Sequence, residues 1–455
     1  MKKHLIFTAM LSVIAAGNIQ AQQGTDYKLY DFSSTQWIDA DGYPNDLLLG
    51  TFNKVSANGE YAVGYDDQYL LTSFMWKRST PDEIELVNSN YNYRTRCHDV
   101  ANDGTAVGCY EDASTQGMRP AYRSADGEWT LLPVPEDYSL KTAQGGIGID
   151  EAAAVTSDGK YIAGHVYVKI GEKETSLGKL EVTSLLPALW TKNGYNYELT
   201  TVYRDLGKAG ESYQWNGSEF ELVADSVKYN IFYVYNISDD GRTIVGMNTA
   251  DCGGQNPAII RDGKLMQIYN CDNPDTYTFN GGICNSIDAA GNIYGYFVDD
   301  FMNMTNFVLT SDNKLEFVDD WLICGTADGR RFTQQTYSLP YTLDCSDDGS
   351  VIVGGSIASM GFGLANAPAL LLADDTPATG VDRMDAIRNT VSISYKGNVL
   401  CVNGEYDRAD IYNAQGALIA QLGQGVAYNL GAQPAGAYIV KVTTANGVKT
   451  FKVAR

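Results

Sequence analysis

Three apolar runs in the chain each end on a pair of neighbouring carboxylates: Asp66-Asp67, Glu111-Asp112 and Asp299-Asp300. Two carboxylates held at one point can chelate calcium through several oxygens. They can also act as acid and base on a glycosidic bond. The plain alternative is a solvated acidic rim, since the 455-residue chain carries a net charge of −22. A second set recurs five residues before a glycine: Lys54, Asp99, Ala154, Asn236, Ser286 and Asp344, each followed by an apolar residue. These mostly polar side chains either line a channel or hydrogen-bond one repeat to the next. A third set is aromatic and amide-rich: Tyr91 and Tyr93 among asparagines, Tyr277 and Phe279, and Tyr337. Aromatic faces beside amides suit stacking on sugar rings and protein contacts alike, although tyrosine also simply fills strands.

Histidine chemistry is poorly supplied. There are three histidines, and His4 lies in a segment expected to be removed, which leaves His98 and His165. Multi-histidine zinc sites and histidine-based triads are therefore not expected, and no cofactor is indicated beyond the calcium alternative. Eight cysteines in an exported chain read as disulfide candidates. Cys97 and Cys109 flank a hairpin glycine, Gly104, almost symmetrically, which would set them opposite one another. Cys271 with Cys284 and Cys324 with Cys345 are further options, and Cys401 reads as a buried thiol. The strong acidity argues against a nucleic-acid partner, which would require phosphate neutralisation.

The elements that must position these residues come from a repeat. One phrase, an apolar residue, a short polar stretch, glycine, then an apolar run ending in glycine, occurs six times. Examples are Val100-Ala-Asn-Asp-Gly104-Thr-Ala-Val-Gly108 and Ile237-Ser-Asp-Asp-Gly241-Arg-Thr-Ile-Val-Gly246. Asp-Gly or Asn-Gly between apolar runs predicts a hairpin. The closing glycine predicts a bulge or close backbone packing. A second phrase follows each first one, as in Phe74-Met-Trp76, Pro187-Ala-Leu-Trp190 and Pro368-Ala-Leu-Leu371. Trp76 and Trp190 sit mid-strand and read as core.

Two hairpins per unit make four strands, the period of a propeller blade. The fold class is thus all-β: a six-bladed β-propeller over residues 24–375, followed by a small β-sandwich. A degenerate seventh blade stays open, because the step from Gly159 to Gly241 holds a spare hairpin around Tyr213-Gln-Trp215. The sixth copy has no fourth strand of its own. Residues 26–33 resemble the missing phrase and are expected to complete that sheet, which would otherwise keep an open edge. The copies resemble HAF-type extracellular repeats. Pro-Ala replaces the usual His-Ala step in four of them, and the resemblance carries no catalytic residues.

The two ends read as addresses. Residues 1–21 have the basic start, apolar core and small-residue cleavage site of a secretory signal. No other run is long enough for a transmembrane helix. Residues 376–390 form a linker, and residues 391–455 carry six basic and three acidic residues in short alternating runs. The order Asn398-x-Leu400-x-Val402, Ile411-Tyr412-x-x-x-Gly416 and Gly436-Ala-Tyr438-Ile-Val440-x-Val442, ending Lys452-Val-Ala-Arg455, resembles the C-terminal sorting domain of the type IX secretion system. That resemblance implies passage through the type IX machinery, then release or anchoring at the outer surface. The functional expectation is a secreted or cell-surface module binding a glycan or protein. The alternatives are a carbohydrate-active hydrolase or lyase using rim carboxylates, and a structural spacer.

Overall fold

The computed structural model describes residues 27–38, 44–47, 49–66, 72–87, 94–112, 114, 117–140, 150–176, 178–208, 210–216, 218–225, 231–249, 255–268, 279–299, 304–318, 322–325, 331–333, 341–360, 363–373, 391–396, 398–404, 406–413, 417–434, 436–444 and 447–455. It divides into two compact units, one over residues 28–373 and one holding the C-terminal segment. The expected signal sequence and linker lie outside the described residues.

The larger unit is a β-propeller built from antiparallel meanders. Among the described residues six inner strands head them: Thr51–Val55, Thr95–Val100, Ala152–Val155, Ile231–Ile237, Phe279–Ile287 and Tyr341–Cys345. Each inner strand turns through its Asp-Gly or equivalent hairpin into a second strand and then a third. Gly104 shows why glycine stands at the turn: its φ is +85°, and its five counterparts are also positive. The turns are locked from within. Ser56, Thr156, Ser238 and Ser346 each donate to the side chain two residues on and accept a backbone N–H five residues on.

Every inner strand carries a β-bulge just before its repeat phrase, with register shifts at Phe52/Lys54, Cys97/Asp99, Ala152/Ala154, Val234/Asn236, Cys284/Ser286 and Thr342/Asp344. The glycine closing the second strand packs against that bulge. A Cβ on Gly108 would stand 1.7 Å from the carbonyl oxygen of Arg96. Between the sheets lies an apolar core that includes Phe52, Phe74, Trp76, Trp190 and Phe307, all fully buried. The two indoles are satisfied, Trp76 by the Pro81 carbonyl and Trp190 by the Pro133 carbonyl.

The outer strand of the sixth sheet is Tyr27–Asp31, paired beside Gly363–Ala373. Phe32 N–H donates to the Pro368 carbonyl at 3.0 Å, and Ser356 Oγ donates to Asp31 at 2.7 Å. The spare hairpin, Ser212–Trp215 with Phe220–Val223, heads no separate blade among the described residues. It pairs parallel to Lys264–Gln267 and extends the fourth sheet outward. The third sheet departs from the repeat differently. Tyr161–Thr175 and Gly178–Asn193 run on past the sheet as a two-stranded ribbon whose far end is exposed. Ribbon and added hairpin together account for the long step between Gly159 and Gly241.

The C-terminal unit is a sandwich of a three-stranded sheet, headed by Val391–Lys396, and a four-stranded sheet ending in Gly447–Ala454. Leu400, Ile411, Leu430, Val440 and Val442 are fully buried between them. The alternating runs of the sequence therefore supply the inward faces. Among the described residues no helix is long and apolar enough to cross a membrane.

Candidate functional site

The six inner strands converge on one axial cavity of about 90 Å³, lined by Lys54, Asp99, Asn236, Ser286, Asp344 and the turn residues Asp239, Asp288 and Asp347, among others. Asp99 and Asp344 serve the ring itself. One Asp99 oxygen accepts Val155 N–H at 2.9 Å from the third sheet, and Asp344 accepts Val55 N–H at 3.1 Å from the first. Lys54 lies 3.5 Å from Asp344. Burial pushes Asp99 up to about 6 against the pull of Lys54, and burial raises Asp344 as well. One oxygen of each joins neighbouring sheets and the other Asp99 oxygen accepts Val100 N–H, and the cavity is far below the roughly 300–1,000 Å³ of ligand pockets.

At the turn end of the axis, Asp347 is pushed up to about 6 by burial and by Asp239, Asp344, Asp288 and Asp348. The ordinary value is 3.8, so the folded state binds more proton between about pH 4 and 6. Stability therefore falls as pH rises through that window. Asp347→Asn is expected to gain ~1 kcal/mol at pH 8, after allowance for solvent screening, and nothing at pH 3.5. Urea unfolding at the two pH values measures this; equal midpoints for both proteins at pH 8 would refute it.

The acid pairs are placed unevenly. Glu111 pairs with Arg94 at 2.9 Å, and this hydrogen bond holds its carboxyl below the ordinary range. Asp112 accepts from Ser114 and lies 3.0 Å from Arg119, again with a lowered pKa. Asp66 is buried at the end of its strand. Asp299 ends the strand Ile293–Asp299, its side chain outside the described set; Asp67 and Asp300 are also outside it. So are Tyr91, Tyr93, Tyr277 and Tyr337, while Phe279 is placed only as the first residue of its strand.

The expected Cys97–Cys109 disulfide is corrected: both thiols are free and buried. The bulge at Cys97/Asp99 slips the pairing by one residue, so Cys97 faces Gly108 and Arg96 faces Cys109. A one-residue slip sends a side chain to the other face of the sheet. Cys284 is free too, which removes the Cys271–Cys284 option, and Cys401 is a half-buried free thiol. Cys345 is disulfide-bonded.

A cluster that the sequence reading passed over lies on the other side of the bulges. His98 Nε2 is 2.9 Å from Glu151 Oε2, and His165 Nδ1 is 3.9 Å from Glu151 Oε1. His165 Nε2 accepts Val234 N–H at 2.6 Å. That acceptance places the ring proton on Nδ1, toward Glu151. Burial alone would raise Glu151, yet His98, His165 and Arg96 together hold it down to about 2. Burial lowers His165 to about 4. Tyr65 meets His98 edge-on at 5.2 Å, the Arg96 guanidinium lies over Tyr65, and Tyr233 meets His165 at 5.7 Å. The overlooked signal was the position after each closing glycine: it reads Tyr65, Cys109, His165, Met247, Tyr296 and Gly355, with only tyrosine occurring twice.

A second site lies on the turn face between the second and third sheets. Asn193-Gly194-Tyr195-Asn196 makes a two-residue hairpin with Gly194 at φ +62°. It holds Tyr195 95% exposed at the lip of a groove of about 310 Å³. Tyr122, Tyr197, Lys192, Asp103 and Asp126 line the groove. Tyr122 and Tyr197 meet edge-on at 4.9 Å, and Lys192 lies 3.6 Å from Asp103.

No family model matches the chain, and no curated protein sequence matches it. Among solved structures it is similar to a putative TolB from Agrobacterium tumefaciens, at 10% identity and a TM-score of 0.39, covering 76% of this chain and 99% of that one. TolB from Acinetobacter baumannii is similar at 10% identity and 0.34, over 72% of this chain and 63% of that chain. Porphyromonas gingivalis dipeptidyl peptidase 4 is similar at 10% identity and 0.32, over 93% and 62%. The chain thus spans less than two thirds of two of these proteins. The propeller architecture itself is carried by the strand topology.

Proposed function

We propose that this protein is a secreted or surface-displayed β-propeller that binds an extracellular glycan or protein, with residues 391–455 addressing it to the type IX secretion machinery. The observation that supports binding is the groove beside Tyr195. An exposed aromatic face held on a tight hairpin, with an amine, carboxylates and phenols around it, has the composition that stacks on a sugar ring and hydrogen-bonds its hydroxyls. The groove is separate in sequence from the tyrosine-rich connections that first suggested binding. Those connections remain part of the proposal through Tyr91, Tyr93 and Tyr277.

The mature full-length chain should be tested against a panel of polysaccharides and glycoproteins, with and without calcium. Retention and new reducing ends or unsaturated products are read in the same tubes. Retention without product, weakened about tenfold or more by Tyr195→Ala, is the expected result. Product formation would replace this reading with the carbohydrate-active enzyme. Retention untouched by Tyr195→Ala but lost in Tyr91→Ala or Tyr277→Ala would move the site to those connections. In the producing cell, removal of residues 391–455 should leave the propeller in the periplasm; its appearance outside would refute the sorting role.

A further inference from the structure

We propose that His98, Cys109 and Glu151 form a binding site for one divalent transition metal ion of the zinc type, set between the second and third sheets of the propeller. An imidazole nitrogen, a thiol sulfur and a carboxylate oxygen lie within 4.8 Å of one another. Ligand atoms around a tetrahedral zinc ion, at bond lengths of about 2.0–2.3 Å, sit roughly 3.3–3.8 Å apart. Small rotamer adjustments would therefore close the cluster on a metal. Nitrogen and sulfur with a single carboxylate favour zinc over calcium or magnesium, which take oxygen shells.

The surroundings resemble the support that metal ligands require. His98 stands on the bulge of the second inner strand, Cys109 directly follows the bulge-facing Gly108, and Glu151 immediately precedes the third inner strand. Sheet backbone thus fixes His98 and Cys109, and Glu151 is tied to it through its carbonyl, which accepts His165 N–H at 2.9 Å. His165 turns its Nδ1 toward the Glu151 carboxylate because Val234 N–H occupies its other nitrogen. At 3.9 Å this is a polar neighbour, not a hydrogen bond, and it faces the carboxylate that would ligate the metal. Metal binding would convert the Cys109 thiol to thiolate, releasing one proton to solvent and forming one metal–sulfur bond. The charges of thiolate and carboxylate then balance those of the dication beside Arg96. Three protein ligands leave a fourth position for water or a ligand atom.

The test is titration of the metal-free, full-length mature chain with cobalt(II), a spectroscopic substitute for zinc. One equivalent should bind with a thiolate-to-cobalt charge-transfer band in the near ultraviolet, and excess zinc should abolish that band. Cys109→Ser should remove the band. His98→Gln and Glu151→Gln should each weaken binding about tenfold or more. Cys97→Ser should match the wild type, because Cys97 points to the opposite face of the same sheet. If Cys109→Ser does not fold, X-ray absorption on the zinc-loaded wild type decides, with one sulfur at about 2.3 Å expected. Three results would overturn the site: no stoichiometric binding of either metal, a charge-transfer band that survives Cys109→Ser, or a first shell without sulfur.

Discussion

Replacing Gly108 with alanine is expected to destabilise the propeller by about 3 kcal/mol or more. The added Cβ would lie 1.7 Å from the Arg96 carbonyl oxygen, 2.8 Å from its carbon and 3.2 Å from the Cys97 Cα. All three are backbone atoms of the facing bulge, so no flexible side chain can swing aside. Retreat of the inner strand would break its pairing with the second strand at Arg96↔Cys109 and Cys97↔Gly108. Gly171→Ala in the exposed ribbon is the matched control. Its Cβ would meet nothing within 4 Å, and its effect should stay within about 0.5 kcal/mol. Chemical unfolding of the two variants measures the difference, and equal midpoints would mean that the bulge does not require glycine.

Removing Tyr27 to Phe32 should be the larger perturbation, on the order of 5 kcal/mol. Tyr30 and Phe32 are buried in the first-to-sixth core cluster, and Phe32 packs edge-on against Phe52 at 6.1 Å. Losing two buried aromatic side chains costs several kcal/mol by itself. The deletion also bares the hydrogen-bonding edge of Gly363–Ala373, a template for pairing with another chain. The truncated protein should unfold at lower denaturant and scatter light at concentrations where the intact chain does not. A synthetic peptide of residues 26–33 should restore part of the lost stability. An unchanged midpoint with a monomeric chain would show that this strand contributes little.

The repeat phrase made much of the larger unit legible, because hairpin geometry is a local property. Asp-Gly between apolar runs marks a turn needing positive φ, and Gly104 and its counterparts have it. The closing glycine marked a bulge or close approach, and Gly108 stands against a bulge. The same bulge defeated the cysteine assignment. Without it, Val100 opposite Ala106 would lead back to Cys97 opposite Cys109; one inserted residue turns them apart. The cluster at Glu151 was harder to see. Glu151 belongs to no repeated phrase, and its neighbours His98 and His165 come from different sheets. Two histidines looked too few for chemistry, and only the ring brings both to one carboxylate. The groove at Tyr195 was missed because its parts come from two separate hairpins, each ordinary alone.

The strand that completes the sixth sheet has a bearing on how the chain reaches its native state. Ser356 and Asp31, joined by a hydrogen bond, are 325 residues apart in sequence. Contacts of such range close large loops before any packing rewards them, which makes folding slow. Each meander can form from its own hairpins as it emerges, but the ring stays open until its last strands arrive to meet its first. A chain crossing a membrane unfolded would therefore carry an unpaired sheet edge for most of its folding time. The interval before closure, rather than the stability of the finished ring, is when the edge is open to pairing with another chain.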